Sequence, residues 1–334
     1  MAFKIFEPDK KIENLYSTVA EPMWSTGGNL TTFFTGSTQD SNSGKYYYDV
    51  HATSDQTTTV EFAVTYGHQH GSGSEGSSTS GTTNPTKAIY SQLRQVLLPA
   101  ETTQFNFHGG SGTDYKVEDI FAIAVNRARY REKVDPGNWE LHLKGAWTKL
   151  IDDSGATTTP TVNQAGRVFN VVSGSIASGT AVTKRTAAAG GALGNFYPDL
   201  GIIILDASHL QVTSSVALDR QTNTFTSASM QWFKAISTGS YFAARREEEI
   251  TSTMYFCRAT NQEFNFSNNP TFATKSGDTE GVFTQTTFEG DPKTFVTQVG
   301  LYNDTNELLA VAKLSKPDLK SFSRDAVIKV KLDF

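Results

Sequence analysis

The sequence predicts a mainly β protein: antiparallel sheets in a sandwich-like arrangement, with a few short helices and long polar loops. Three observations predict it. Hydrophobic residues are 37% of the chain and charged residues only 19%. Gly, Ser, Thr and Asn fill the difference, which suits short strands and polar turns better than helices rich in Ala, Leu, Glu and Lys. Runs of alternating side chains recur along the chain, the period of a strand with one buried side, whereas helical spacing is confined to two short segments. At 334 residues there is length for about two domains, each able to bury a core without metal or disulfide. The expected division is an N-terminal arm over 1–44, a β-rich domain over 45–150 with an inserted helix at 85–98, and a second β-rich domain over 151–334.

The elements follow in order. "KYYYDVHAT" and "TTTVEFAVTY" read as two strands split by a polar turn around Asp55, with Val60, Phe62, Val64 and Tyr66 on one face of the second. Pro85 opens a helix capped by Asn84, in which Ile89, Leu93, Val96 and Leu97 recur at helical spacing until Pro99. "IFAIAVNRARYREK" places Phe121, Ile123 and Val125 on one face. "DPGN" then supplies Pro136 and Gly137 for a type II turn, and the returning run carries Trp139, Leu141 and Leu143, so a hairpin is expected. "GRVFNVVSG" and "DLGIIILDA" are strand-like, and 174–196 reads as a long surface excursion that orders on assembly. A second helix near 227–237 directs Met230, Phe233 and Ile236 inward. A strand over 325–334 sets Ala326, Ile328, Val330, Leu332 and Phe334 on its buried face, and its expected partner is the hairpin "TFVTQVGLYN" and "ELLAVAKL", turned at 303–306. Ile328, Val330, Leu332 and Phe334 are accordingly candidate structural and interaction residues.

Charge and cysteine usage narrow the function classes. A formal net charge of -5 removes the usual electrostatic ground for nucleic-acid binding. The basic run "NRARYREK" and the mixed run "RREEEI" read as solvated strand faces. The single Cys257, in "MYFCRA", has no partner for an internal disulfide and reads as a buried, inert thiol. No segment approaches the roughly 18 to 20 apolar residues of a membrane span, and the N-terminus has no apolar leader. The expectation is a chain folded in a cytoplasm.

His68 and His70, at the mouth of the run "GHQHGSGSEGSS", are the one metal-like pair. On a strand, residues two apart share a face, so the two could hold a zinc ion with His51, His108 or Glu75. Nothing in the spacing fixes those further ligands, and both histidines are expected to be loop residues with no cofactor. The glycine and serine run lacks the Lys-Ser/Thr ending of a phosphate-binding loop. Asp152 and Asp153 fall in turn chemistry, no catalytic motif is found, and the chain is not expected to be an enzyme.

The ordered blocks "VTYGHQHGSGS", "PTKAIYSQLRQVLLP", "NRARYREKVDPGNWELHL", "LIDDSG", "YPDLGIIILD", "YFCRATNQEFNFSNNPTF", "TQVGLYNDTNELLAVAKLSKP" and "VIKVKLDF" resemble virion structural proteins of contractile-tailed bacteriophages, in particular phages of marine and cyanobacterial hosts. The resemblance covers residues 45 to 334. It implies a baseplate wedge subunit, assembled in the host cytoplasm into the virion tail, whose partners are other tail proteins and further copies of itself. Two other classes stay open. A tail-fibre or host-recognition protein would present exposed aromatic clusters with affinity for glycans, for which Trp24, "YYY" at 46–48 and Trp232 are candidates, and a neck or collar protein would reuse the same β-rich modules. A metal-dependent tail hydrolase would need bound zinc.

Overall fold

The structure, a computed structural model, describes residues 13–35, 47–55, 57–71, 85–107, 116–144, 149–155, 160–176, 192–214, 225–274 and 281–333. The protein is mainly β, with 51% strand and 15% helix. Strands β1 (Glu13–Pro22), β2 (Asn29–Leu30), β3 (Phe34–Thr35), β4 (Tyr48–His51) and β5 (Phe62–His68) precede helix α1 (Pro85–Leu97). Strands β6 (Phe105–Asn106), β7 (Lys116–Val117) and β8 (Asp119–Val125) lead into the single turn α2 (Arg127–Tyr130). Next come β9 (Lys133–His142), β10 (Lys149–Asp152), β11 (Thr161–Asn163), β12 (Gly166–Ser173), β13 (Gly194–Tyr197) and β14 (Ile202–Asp206), then α3 (Ala207–Ser214) and α4 (Phe225–Gly239). Strands β15 (Phe242–Ala259), β16 (Thr294–Tyr302), β17 (Leu308–Lys320) and β18 (Ala326–Asp333) follow.

The chain forms two compact units, one of Val19–Glu248 and one of Met1–Thr18 with Glu249–Phe334. This differs from the division expected at 44 and 150. Residue 150 lies inside β10, which is hydrogen-bonded to β9 on one side and β12 on the other, so the sheet runs straight through the expected boundary. The segment 19–35 is no free arm either, because Trp24 and Leu30 are buried in the core of the larger unit and Leu30 pairs with Phe242.

In the larger unit the antiparallel sheet has the order β15, β9, β10, β12, β13, β14, β8, β5, β4, β3, and β2 pairs the first part of β15 on its other edge. Strand β8 lies well inside it and is apolar on both faces. Phe121, Ile123 and Val125 face a core shared with α4, while Ile120 and Ala122 face a smaller one containing Tyr90 and Leu97 of α1. A helix covers each face, which is why "IFAIAV" reads as a continuous apolar run rather than a strict alternation. Helix α1 sits close on β5 at Gly67, where a Cβ would come within 3.1 Å of the Tyr90 backbone nitrogen. Two side chains from the β11–β12 turn close its C-terminus: Asn163 Nδ2 donates to the Leu97 carbonyl at 2.9 Å and Gln164 Nε2 to that of Gln95 at 3.0 Å. They satisfy carbonyls that a helix end leaves without partners.

Several expectations change here. No hairpin forms at Pro136–Gly137. Both residues lie within β9, and the ladder to β15 jumps from Ala244↔Trp139 to Arg246↔Val134, a bulge with Gly137 at φ +82°. The chain reverses earlier, through α2, where the Asn126 side chain accepts from Ala128 N and Arg131 takes φ 55°. In α1, Ile89 and Leu97 are buried as expected, but Val96 is exposed and Tyr90 takes the inward place. In α4 the buried residues are Ala228, Ser229, Trp232, Ala235 and Ile236, whereas Met230 and Phe233 are only half-buried. The excursion expected over 174–196 ends earlier too: Leu193 and Phe196 are buried, and β13 is an interior strand between β12 and β14. Residues 177–191 and the Asn84 cap lie outside the described residues.

In the smaller unit the second part of β15 pairs with β18 from Ser252↔Asp333 to Ala259↔Ala326. The C-terminal strand therefore has β15 as its partner, not the expected hairpin. The hairpin itself forms as expected from β16 and β17. Its turn is held by Asn303, whose Oδ1 accepts from the backbone nitrogens of Thr305 and Glu307, with Asn306 at φ 64°.

Candidate functional site

The densest buried polar cluster in the larger unit centres on Asp119, the first residue of β8. It stands opposite His68, the last residue of β5, and His68 Nε2 lies 3.1 Å from Asp119 Oδ1. Tyr66, two residues earlier on the same face, donates its hydroxyl to Oδ1 at 2.9 Å, and Ser208 of α3 donates to Oδ2 at 2.8 Å. His68 Nδ1 accepts the backbone N–H of His70 at 3.0 Å. That bond fixes the tautomer: the proton sits on Nε2 and points at Asp119.

The expected loop placement of His68 is thus corrected. Strand β5 continues to residue 68, so the inward period of Val64 and Tyr66 carries His68 into the core. His70 lies beyond the strand end, in a turn closed by Gly71 at φ 89°, with its side chain exposed beside Glu118. The two histidines do not share a strand face, and both ring nitrogens of His68 already serve protein groups. His51 is at the opposite end of the strand pair, where Val50 is opposite Phe62, and its Nδ1 lies 3.1 Å from the Thr58 carbonyl. The run from Phe62 to His68 spans about 20 Å at strand rise. His108 and Glu75 lie outside the described residues. Among the described residues no group of three or more His, Cys, Asp or Glu side chains is placed to hold a metal ion.

Ser208, His68 and Asp119 are the residue types of a hydrolytic triad in a different order. A triad needs histidine between the serine and the carboxylate, so that it can take the hydroxyl proton. Here the carboxylate is between them and the Ser208 hydroxyl bonds it directly. The arrangement ties β5, β8 and α3 together and does not raise the nucleophilicity of Ser208.

Other carboxylates also staple backbone. Asp152, buried rather than in a surface turn, accepts from Gly137 N at 2.8 Å and from Ser154 N at 2.9 Å, so it anchors the β9 bulge; burial pushes its pKa up. Asp153, equally buried, accepts from Asn170 N at 2.9 Å. Glu140 accepts from Ile176 N and Ser175 Oγ and lies 2.6 Å from His142 Nε2. Burial acts to raise its pKa, and the bonds from His142, Ile176 and Ser175 outweigh it and hold it low. The buried Glu61 pairs with Arg129 Nε at 2.8 Å and takes the Ser25 hydroxyl, fixing α2 against the start of β5. The runs "NRARYREK" and "RREEEI" prove to be partners: Arg131 meets Glu248 at 3.1 Å and Lys133 meets Glu247 at 3.4 Å.

The aromatic candidates for glycan contact are mostly internal. Trp24 packs on Phe242 at 4.8 Å, Phe62 packs on Phe242 at 5.4 Å, and Trp232 is fully buried; Tyr48 is half-buried and Tyr47 exposed. In the smaller unit Val330 is buried while Ile328 and Leu332 are half-buried, on the face expected for them, and Phe334 lies outside the described residues. Cys257, opposite Ile328, is half-buried rather than buried, and desolvation pushes its thiol pKa up. Exposed apolar side chains occur on the β16–β17 hairpin, with Phe295 63% exposed opposite Leu319 and Leu308, Leu309 and Val311 exposed nearer the turn.

No family of proteins, no curated protein and no solved structure matches the chain.

Proposed function

We propose that the chain is a structural subunit of a bacteriophage contractile tail, a baseplate wedge component that binds neighbouring tail proteins during virion assembly, rather than an enzyme. The observation that carries this reading is the order of sequence blocks between Val64 and Phe334 that resemble tail proteins of this kind. Two features support it. The hairpin of β16 and β17 presents Leu309 and Val311, two apart on one strand, to solvent, with Phe295 exposed towards the other end of the hairpin, and exposed apolar side chains of this kind suit contact sites. The buried His68 and the half-buried Ser208 both bond the buried Asp119, contacts that hold secondary structure together as in a rigid scaffold.

The test is to raise Fab fragments against the purified chain and image them on intact phage particles. Label at the distal end of the tail is expected. Label at the head–tail junction would move the chain to the neck or collar. Particles with no label, and no peptides of the chain in their digest, would overturn the reading.

A further inference from the structure

Within the smaller unit, Lys320 ends β17 with no exposed surface at all. Its ammonium group meets three oxygens: the Asn261 carbonyl at 3.0 Å, the Asn265 side-chain Oδ1 at 3.0 Å and the Ser321 carbonyl at 3.1 Å. All three are neutral. The three acceptors match the three N–H groups of the ammonium and hold Nζ in place, while burial acts against the charge: desolvation pulls the Lys320 pKa down, with Asp325 and Glu263 acting the other way, so a deprotonated amine is reached more readily than in an exposed lysine. A neutral, immobilised amine is a nucleophile.

The side chain that its ammonium meets is an amide, a carbonyl electrophile. Asn265 is itself buried, and its amide is held at both ends, Oδ1 by Lys320 and Nδ2 by donation to the Asn261 carbonyl at 2.6 Å. The Asn265 carbonyl carbon lies one C=O bond, about 1.2 Å, beyond the oxygen that Lys320 touches. The residue before it, Phe264, takes φ 54°, a left-handed conformation that costs a non-glycine residue energy, and its carbonyl is pinned by the Thr294 hydroxyl at 2.8 Å. Glu263, whose Oε2 accepts from Thr260 N at 2.8 Å, stands in the same loop and supplies a carboxylate to the field at Lys320.

We propose that Lys320 and Asn265 join in an intramolecular isopeptide bond. Lys320 Nζ attacks Asn265 Cγ, the Nζ–Cγ bond forms and the Cγ–Nδ2 bond breaks. Nδ2 leaves as ammonia, taking the proton that Nζ gives up, with the Glu263 carboxylate carrying it between them. No oxidant or co-reactant enters, and the atoms balance as amine plus primary amide giving secondary amide plus ammonia. The bond fastens the end of β17 to the loop that follows β15, closing a covalent ring over residues 265 to 320. It stands independently of the tail assignment.

The experiment is intact-mass measurement of the full-length purified chain, followed until the mass stops changing, and then tryptic digestion. The expected wild-type mass is lower than the sequence mass by one ammonia. Cleavage after Lys320 is expected to be lost, so that peptide 259–275 travels attached to peptide 314–324. Lys320→Arg and Asn265→Ala should each show their full sequence masses, and Glu263→Gln should fold but link far more slowly. A wild-type chain at its full sequence mass, cut normally after Lys320, overturns the proposal. Linkage of Glu263→Gln at the wild-type rate removes Glu263 from it.

Discussion

Trp232 of α4 lies flat on Phe121 of β8, with ring centroids 4.7 Å apart and planes 10° from parallel. This contact joins helix to sheet at the middle of the larger core. Truncating Trp232 to alanine should cost about 3 to 5 kcal/mol, a large part of a typical domain stability of about 5 to 15 kcal/mol. Met230→Ala, on the half-buried side of the same helix, should cost well under half of that. Paired urea melts of the two variants check the ranking.

His68→Ala and His70→Ala should behave differently. The first removes a donor from a buried carboxylate and should lower stability by about 1 to 3 kcal/mol, while the second alters an exposed turn and should stay within about 0.5 kcal/mol of wild type. Equal melting temperatures for the two variants would contradict the placement of His68 in the core.

Gly194 is opposite Leu205 in the β13–β14 ladder, and a Cβ there would lie 2.0 Å from the Ile204 carbonyl oxygen. No side-chain rotation relieves a clash with backbone. Gly194→Ala should therefore destabilise by at least about 1 to 3 kcal/mol and shift the chain to the insoluble fraction on expression. Gly155→Ala, with nothing within 4 Å of the new methyl, should express as wild type.

Asp152 supplies a pH signature. Its pKa is raised by burial, so between the ordinary carboxylate range and its own pKa the folded state holds a proton that the unfolded state has released. Stability from this group is complete below the ordinary range and is lost as pH rises through the raised value. The difference in unfolding free energy between wild type and Asp152→Asn should thus shift against wild type from about pH 4 upward. Denaturant titrations of both proteins across that range should show the trend, and parallel curves would refute it.

Val330→Ala in β18 should cost on the order of 1.5 kcal/mol, because Val330 is 4% exposed, whereas Val327→Ala, at a 61% exposed position of the same strand, should be nearly silent. Thermal melts of both proteins test whether the alternation in this strand marks its buried face.

Much of the β character was legible in the sequence because strand alternation is local: Phe62, Val64 and Tyr66 reveal their face from spacing alone, as do Ile328, Val330 and Leu332. Partners close in sequence were legible, as in the β16–β17 hairpin, but distant ones were not, because the residue opposite Val330 is Tyr255 and nothing in either strand names the other. Pro136–Gly137 signalled a break in regular backbone correctly, yet the same two residues serve a turn or a bulge, and only the β15 register separates them. The buried face of α4 was read at Ile236 but not at Trp232, because two of its other members, Ala228 and Ala235, are alanines, which leave little mark in an apolar stripe. The Asp119 cluster draws on residues 66, 68, 119 and 208, and a count to residue 68 along β5 is the one local signal that points into it.

The first part of strand β15 runs between β9 and β2 in the larger sheet, where Phe242 pairs with Leu141 and Leu30 and packs on Trp24 and Phe62. During synthesis, therefore, the ribosome must deliver residue 242 before those two early aromatic rings can be covered. Until then the nascent polypeptide carries them in an incomplete core, and contacts this distant in sequence close slowly. The stretch of translation between Phe62 and Phe242 is a window in which a chaperone, or crowding by neighbouring nascent chains, decides between folding and aggregation.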